Sequence, residues 1–222
     1  MIKIYDYKTR LRLKSIDISC QFANSIEHGV IYKSSDWTLF EPTKFIYAFF
    51  AFNMLYEIDW KLSIKRQKMM DSRSSSLTKE KIKLLLKFIY SGNPEKSFLQ
   101  YYLEYDENLE VIQNSNQIKV RLSKNSDMLN NYKSSLNKLN NGSFTEDDHY
   151  NLLIFCYKIR NNIFHGSKTA SSMIKGGQRE RLLNYANILM ATMDMFFSLF
   201  VDDENYSRSS QQELIENLQI RN

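Results

Sequence analysis

Six glycines and two prolines are all that punctuate 222 residues. A sheet-rich domain needs turn residues at every reversal, and this chain has few to offer. The scarcity narrows the fold to helices joined by polar links. Hydrophobic residues make up 43% of the chain, enough for an ordinary core, and fourteen Phe with fourteen Tyr supply much of its area. The expectation is an all-α domain, an up-and-down bundle of five or more helices. No repeat of fixed period is visible.

Start and stop signals divide the chain. Residues 1–41 are the hardest to read: "MIKIYDYKTR" alternates weakly, and "SIDISCQFANSIEHG" fits a helix closed by Gly29. They are set apart as an N-terminal extension of unassigned structure, and the bundle is expected over 42–201. Pro42 suits a first helical position, where its missing N–H would be unpaired anyway. That helix is expected to reach about Gln67, apolar at first and basic in "KLSIKRQK". Thr78 is expected to cap a second helix, with Leu77 and Ile82 as a hydrophobic staple and a stop at Ser91-Gly92. Asn93-Pro94 then reads as the start of "EKSFLQYYLEY". A shorter helix is expected over about Asp127–Leu139.

Thr145 opens the best-marked helix. Glu146, Asp147 and Asp148 fill its first turn, Thr145 and Asp148 form a loose capping box, and Gly166 supplies a left-handed stop. A last long helix is expected over about Gln178–Val201, and residues 202–222 form a polar tail.

Several classes of function drop out. Cys20 and Cys156 do not make a disulfide framework and sit in no CxxC pair. The N-terminus lacks a secretory signature. "FIYAFFAFNMLY" at 45–56 is the longest apolar stretch and falls short of the roughly 20 residues that span a bilayer. A cytoplasmic protein with no membrane contact is expected. His28 and His149 have no zinc-ligand spacing with either cysteine, and GxxxxGK[ST], GxSxG and HExxH are absent, so neither a metal nor a cofactor is expected. The net charge of +5 permits nucleic-acid binding without demanding it.

On an ideal helix at about 100° per residue, Leu152, Cys156, Ile159 and Ile163 form one apolar stripe. Tyr150, Leu153, Tyr157 and Phe164 form another on the opposite side. Tyr150, Tyr157 and Phe164 recur every seven residues, an aromatic ladder. A central helix in a large bundle would explain two apolar faces. A two-fold homodimer that buries the ladder would explain them too, and the dimer is the expectation. Arg160, Asn161 and His165 are interleaved with the second face. Asn161 and His165 are neighbours at i,i+4, whereas Arg160 and His165 point about 140° apart. The arginine and histidine are better placed to cooperate across two chains than within one helix. Lys158, Lys168, Lys175, Arg179 and Arg181 cluster around the motif as an RNA-binding rim or a solvated surface. Asn53, inside an apolar helix, is expected to be a buried amide bonding across helices.

RNA is cut when its 2′-OH attacks the adjacent phosphate. The reaction needs a base, an acid for the leaving 5′-oxygen and a cation for the charged phosphorane. Histidine titrates near neutrality, and arginine grips phosphate oxygens as a fork. Arg160, Asn161 and His165, in the run "RNNIFHG" at the end of a penultimate long helix, resemble the Arg-x4–6-His motif of the HEPN superfamily. The resemblance covers about 145–200, with "FIYAFFAFNMLY" a weaker match to an early helix. It implies a helical bundle, a dimer with the motif at its interface, and metal-independent RNA cleavage with Arg160, Asn161 and His165 as the site. It also implies a toxin or antiviral defence protein, with any antitoxin or defence partner a separate chain. The alternative is a non-catalytic HEPN module that binds RNA, a nucleotide or a protein.

Overall fold

The computed structural model describes residues 7–25, 40–61, 75–110, 112, 126–164 and 177–200. Among these residues the chain forms seven helices and no sheet: α1 (Tyr7–Ser25), α2 (Phe40–Tyr56), α3 (Ser75–Ser91), α4 (Phe98–Leu103), α5 (Ser126–Asn140), α6 (Glu146–Phe164) and α7 (Gln178–Phe197). The fold is an all-α bundle. Among the described residues no helix is long and apolar enough to cross a membrane.

The centre of the bundle is α7. From Arg181 to Phe196 nearly every side chain is buried. A helix covered all round must be surrounded by others. It packs extensively on α2 and α4 and touches α1 and α6. On the outside, α1 lies along α2, while α6 is flanked by α5 and α3. A shared core joins them all, with Phe45, Phe49, Phe52, Phe155 and Phe196 among its largest buried rings.

Residues 7–25 belong to that core, although the sequence sets 1–41 apart. Leu13, Ile16, Cys20 and Ala23 fall on one face of α1 and are buried. The signal is faint because Cys and Ala carry half of the stripe and polar residues surround it. The Cys20 thiol contacts the Met193 sulfur at 3.1 Å, tying α1 directly to α7.

Three expected boundaries move. The helix from Pro42 stops at Tyr56, well short of Gln67. Trp60 turns the chain: its indole N–H donates to the Leu55 carbonyl at 3.1 Å, and its ring packs against Phe88 and Phe196. Burying that ring in the core outweighs another turn of helix. The second helix begins at Ser75, so Thr78 lies inside the first turn and is buried rather than capping it. The third starts at Phe98. Ser97 is its cap, and Ser97 and Gln100 bond each other's backbone N–H in a complete capping box. Asn93 instead takes a left-handed conformation, φ 56°, at the end of α3. Gly92 fits there because a Cβ would fall 2.8 Å from a Leu199 methyl group.

Buried polar groups cross-link the helices. Tyr102 of α4 donates to the Asn184 side-chain oxygen at 2.7 Å, and the Asn184 side-chain NH2 donates to Tyr132 of α5 at 2.9 Å. Just beyond α2, Glu57 accepts from the fully buried Lys81 of α3 at 2.5 Å.

Candidate functional site

The helix that bears the motif is fixed at its start. The Asp148 carboxylate accepts from the Thr145 N–H at 3.1 Å and from its hydroxyl at 2.6 Å, while the Asp148 N–H donates to the Thr145 oxygen at 3.4 Å. The reciprocal cap is the one expected from the sequence. It gains two donors from α5: the Ser135 hydroxyl at 3.0 Å and the Lys138 ammonium at 2.9 Å. Burial would raise the Asp148 pKa. The bonds from Thr145, Lys138 and Ser135 outweigh burial and hold the carboxyl below its ordinary range.

Near the other end of α6, Arg160 lies over two rings. Its guanidinium carbon lies 4.5 Å from the Phe164 ring centroid and 5.7 Å from that of Phe49. Its Nη1 donates to the Asn161 side-chain oxygen at 2.9 Å. Its Nε is buried and has no hydrogen-bond partner. One amide occupies one edge of the fork, and donor capacity remains for an oxyanion.

Tyr56 and Asn53 stand beside it. The Tyr56 hydroxyl donates to the Asn53 side-chain oxygen. Burial, followed by the charges of Glu57 and Tyr157, raises the Tyr56 pKa, and only Arg160 opposes them. Tyr56 is therefore a neutral donor at physiological pH. Asn53 bonds within its own helix at i,i+3, not across helices, because the tyrosine one turn on satisfies it first.

The remaining expected site residues are dispersed. His165, Lys168 and Lys175 lie outside the described residues. Lys158 is half-buried. Arg179 is taken up by Glu41, whose carboxylate accepts from its Nε at 2.9 Å and from its Nη2 at 2.7 Å. The pair links α7 to α2. Arg181 is buried in the bundle and cannot belong to a rim.

The aromatic ladder divides. Tyr150 is half-buried under the Lys83 ammonium of α3, 5.1 Å from its ring. Tyr157 is half-buried with its ring 6.3 Å from Phe49 of α2. Leu153 and Ile154 are fully covered. Leu152 and Cys156 on one face and Leu153 and Ile154 on the other are thus buried within one chain, while Ile159 and Ile163 are half-buried. Only Phe164 stays open, at 46% exposure.

Two features had no counterpart in the sequence reading. One is His149, fully buried where α3, α4, α6 and α7 meet. Phe98 packs on its ring at 4.0 Å, and both ring nitrogens have partners, Tyr90 and Thr192. Burial pushes its pKa down to about 3. The other is a row of exposed rings: Phe22 touches Tyr47 at 4.6 Å, Tyr47 touches Phe50 at 6.0 Å, and Phe50 touches Phe164 at 5.9 Å. Its trace in the sequence is that α2 is apolar on every side, more than one buried face requires. Among the described residues no three His, Cys, Asp or Glu side chains converge as metal ligands.

Compared with models of known families, with curated proteins and with solved structures, the chain matches none.

Proposed function

We propose that this chain is a metal-independent endoribonuclease of the HEPN type that serves as a toxin or an antiviral defence effector. The observation that carries the reading is the state of Arg160. A cation near the end of a capped helix lies over the rings of Phe164 and Phe49 and is bonded to an adjacent amide. The Nε atoms of Arg12 and Arg181, like that of Arg160, are buried without a hydrogen-bond partner, so what supports the reading is the contact of Arg160 with Phe164 and Phe49 and its bond to the amide of Asn161.

In this reading Arg160 holds the scissile phosphate and stabilises the charge that develops on the phosphorane. Asn161 sets the direction of the fork. His165, four residues beyond Asn161, moves the proton, taking it from the 2′-OH or giving it to the leaving 5′-oxygen. A second copy of the chain supplies the second histidine that the two proton transfers require.

The test is cleavage of RNA by the purified protein in EDTA, with analysis of the product ends. A 2′,3′-cyclic phosphate or 3′-phosphate beside a 5′-hydroxyl is expected, with loss of cleavage in Arg160→Ala and in His165→Ala. Full activity in both variants discards the catalytic assignment. RNA binding without cleavage in the unaltered chain gives the non-catalytic module instead.

A further inference from the structure

The exposed aromatic row belongs to three helices that are distant in sequence, α1, α2 and α6. Phe22, Tyr47, Phe50 and Phe164 are 47%, 37%, 42% and 46% exposed. These are the exposed large hydrophobic residues among those described, and they touch one another in sequence of position. Scattered exposed rings need no explanation, but a contiguous set does.

None of these rings stacks flat on its neighbour. Phe22 and Tyr47 meet at 70°, Tyr47 and Phe50 at 86°, and Phe50 and Phe164 at 51°. Edge-to-face contacts at the first two and a tilted one at the third leave ring surface uncovered that flat stacking would have hidden. One end of the row is cationic: the Arg160 guanidinium sits on Phe164. A row of aromatic faces ending at a cation has the chemistry of a single-stranded nucleic-acid track, in which bases stack on rings and a phosphate meets the charge.

We infer that Tyr47, Phe50 and Phe164, extended by Phe22, form a platform on which unpaired bases of an RNA strand stack while Arg160 holds a phosphate of the same strand. The inference rests on the proposed role of Arg160 in gripping RNA, and it adds what the motif lacks, a reason to prefer unpaired RNA. Bases in a duplex are stacked on each other and cannot reach the rings. A second copy of this chain is the competing occupant. Charge favours RNA, because the row ends on a cation and the chain carries a net +5.

The experiment uses the full chain with His165→Ala to keep RNA intact, and a fluorescein-labelled oligouridylate of about 12 nucleotides followed by anisotropy. Tyr47→Leu and Phe50→Leu are introduced separately. Leucine keeps apolar surface and removes the aromatic face. Each change is expected to weaken binding of the single strand by about 5- to 100-fold, the usual effect of losing one stacked base. Binding of an RNA duplex and sedimentation behaviour should not move. Affinity within about twofold of the parent in both variants overturns the inference. So does altered sedimentation with unaltered RNA affinity, which assigns the row to a second copy. A chain that cleaves RNA yet binds normally in both variants keeps the ribonuclease reading and loses the platform. One that binds through the row but does not cleave keeps the platform and loses the ribonuclease reading.

Discussion

The Nε2 of His149 lies 2.8 Å from the Thr192 hydroxyl, and that hydroxyl donates to the Ile188 carbonyl at 2.7 Å. With its proton committed to Ile188, Thr192 can only accept from the histidine. Nε2 therefore carries the imidazole proton, and Nδ1 accepts from the Tyr90 hydroxyl at 3.2 Å. The neutral ring is fully satisfied, and it joins α3, α6 and α7.

A neutral buried histidine makes the fold sensitive to acid. The unfolded chain binds a proton at this residue below about pH 6.5, and the folded chain refuses it until about pH 3. The contribution is complete above pH 6.5 and falls through that window, by about 1.4 kcal/mol per pH unit. Urea unfolding at pH 7.5, 5.5 and 4.5 should show this decline. His149→Gln should be less stable at pH 7.5 but show a shallower slope, by about one proton. An unchanged slope would mean that His149 does not titrate on unfolding.

Asp148→Ala should cost about 2–3 kcal/mol, more than the loss of an ordinary cap. The change leaves Ser135, Lys138 and the Thr145 N–H without their common acceptor. Urea midpoints measure the loss. Asp148→Asn should recover part of it, because an amide oxygen can still accept from Thr145.

The pair Glu57–Lys81 predicts a recoverable defect. Glu57→Gln or Lys81→Met alone leaves the other partner poorly compensated, with an expected cost of about 3–5 kcal/mol. The double substitution Glu57→Gln with Lys81→Met should restore much of the stability, since no buried charge then remains in the pair. Additive losses in the double-mutant cycle would show that the two side chains do not act as a pair.

Arg160→Lys tests the fork against the charge. A lysine keeps the cation but loses the planar donor array and the guanidinium's contacts with Phe49 and Phe164. Cleavage should fall about 100-fold or more in Arg160→Lys and in Arg160→Ala alike, with small changes in thermal midpoint. Near-normal cleavage in Arg160→Lys would mean that charge alone suffices.

Features that depend on neighbours along the chain were legible in the sequence. Thr145 and Asp148 are three residues apart, and the cap they form needs nothing else. The end of α3 at Gly92 and the extent of α5 follow from equally local signals. The end of α2 was not legible, because it depends on Trp60 reaching Phe88 and Phe196, far away in sequence. Likewise Tyr47 and Phe50 look no different from Phe45 and Phe49 as letters. Only packing decides that the first two face water and the last two do not. At the site, the placing of Arg160 and Asn161 near the end of α6 follows from the cap and the helix length. The pairing of Arg179 with Glu41, 138 residues away, could not be read from local sequence.

The helix at the centre of the bundle is made after every other helix described. As synthesis proceeds, α1 to α6 emerge with their apolar faces turned toward a space that α7 has yet to fill. The contacts that close the core, such as Cys20 with Met193 and Phe45 with Tyr185, span most of the chain and form late. Those six helices cannot complete the fold while α7 is still being made. Any activity that needs the closed bundle is therefore withheld until α7 has been made.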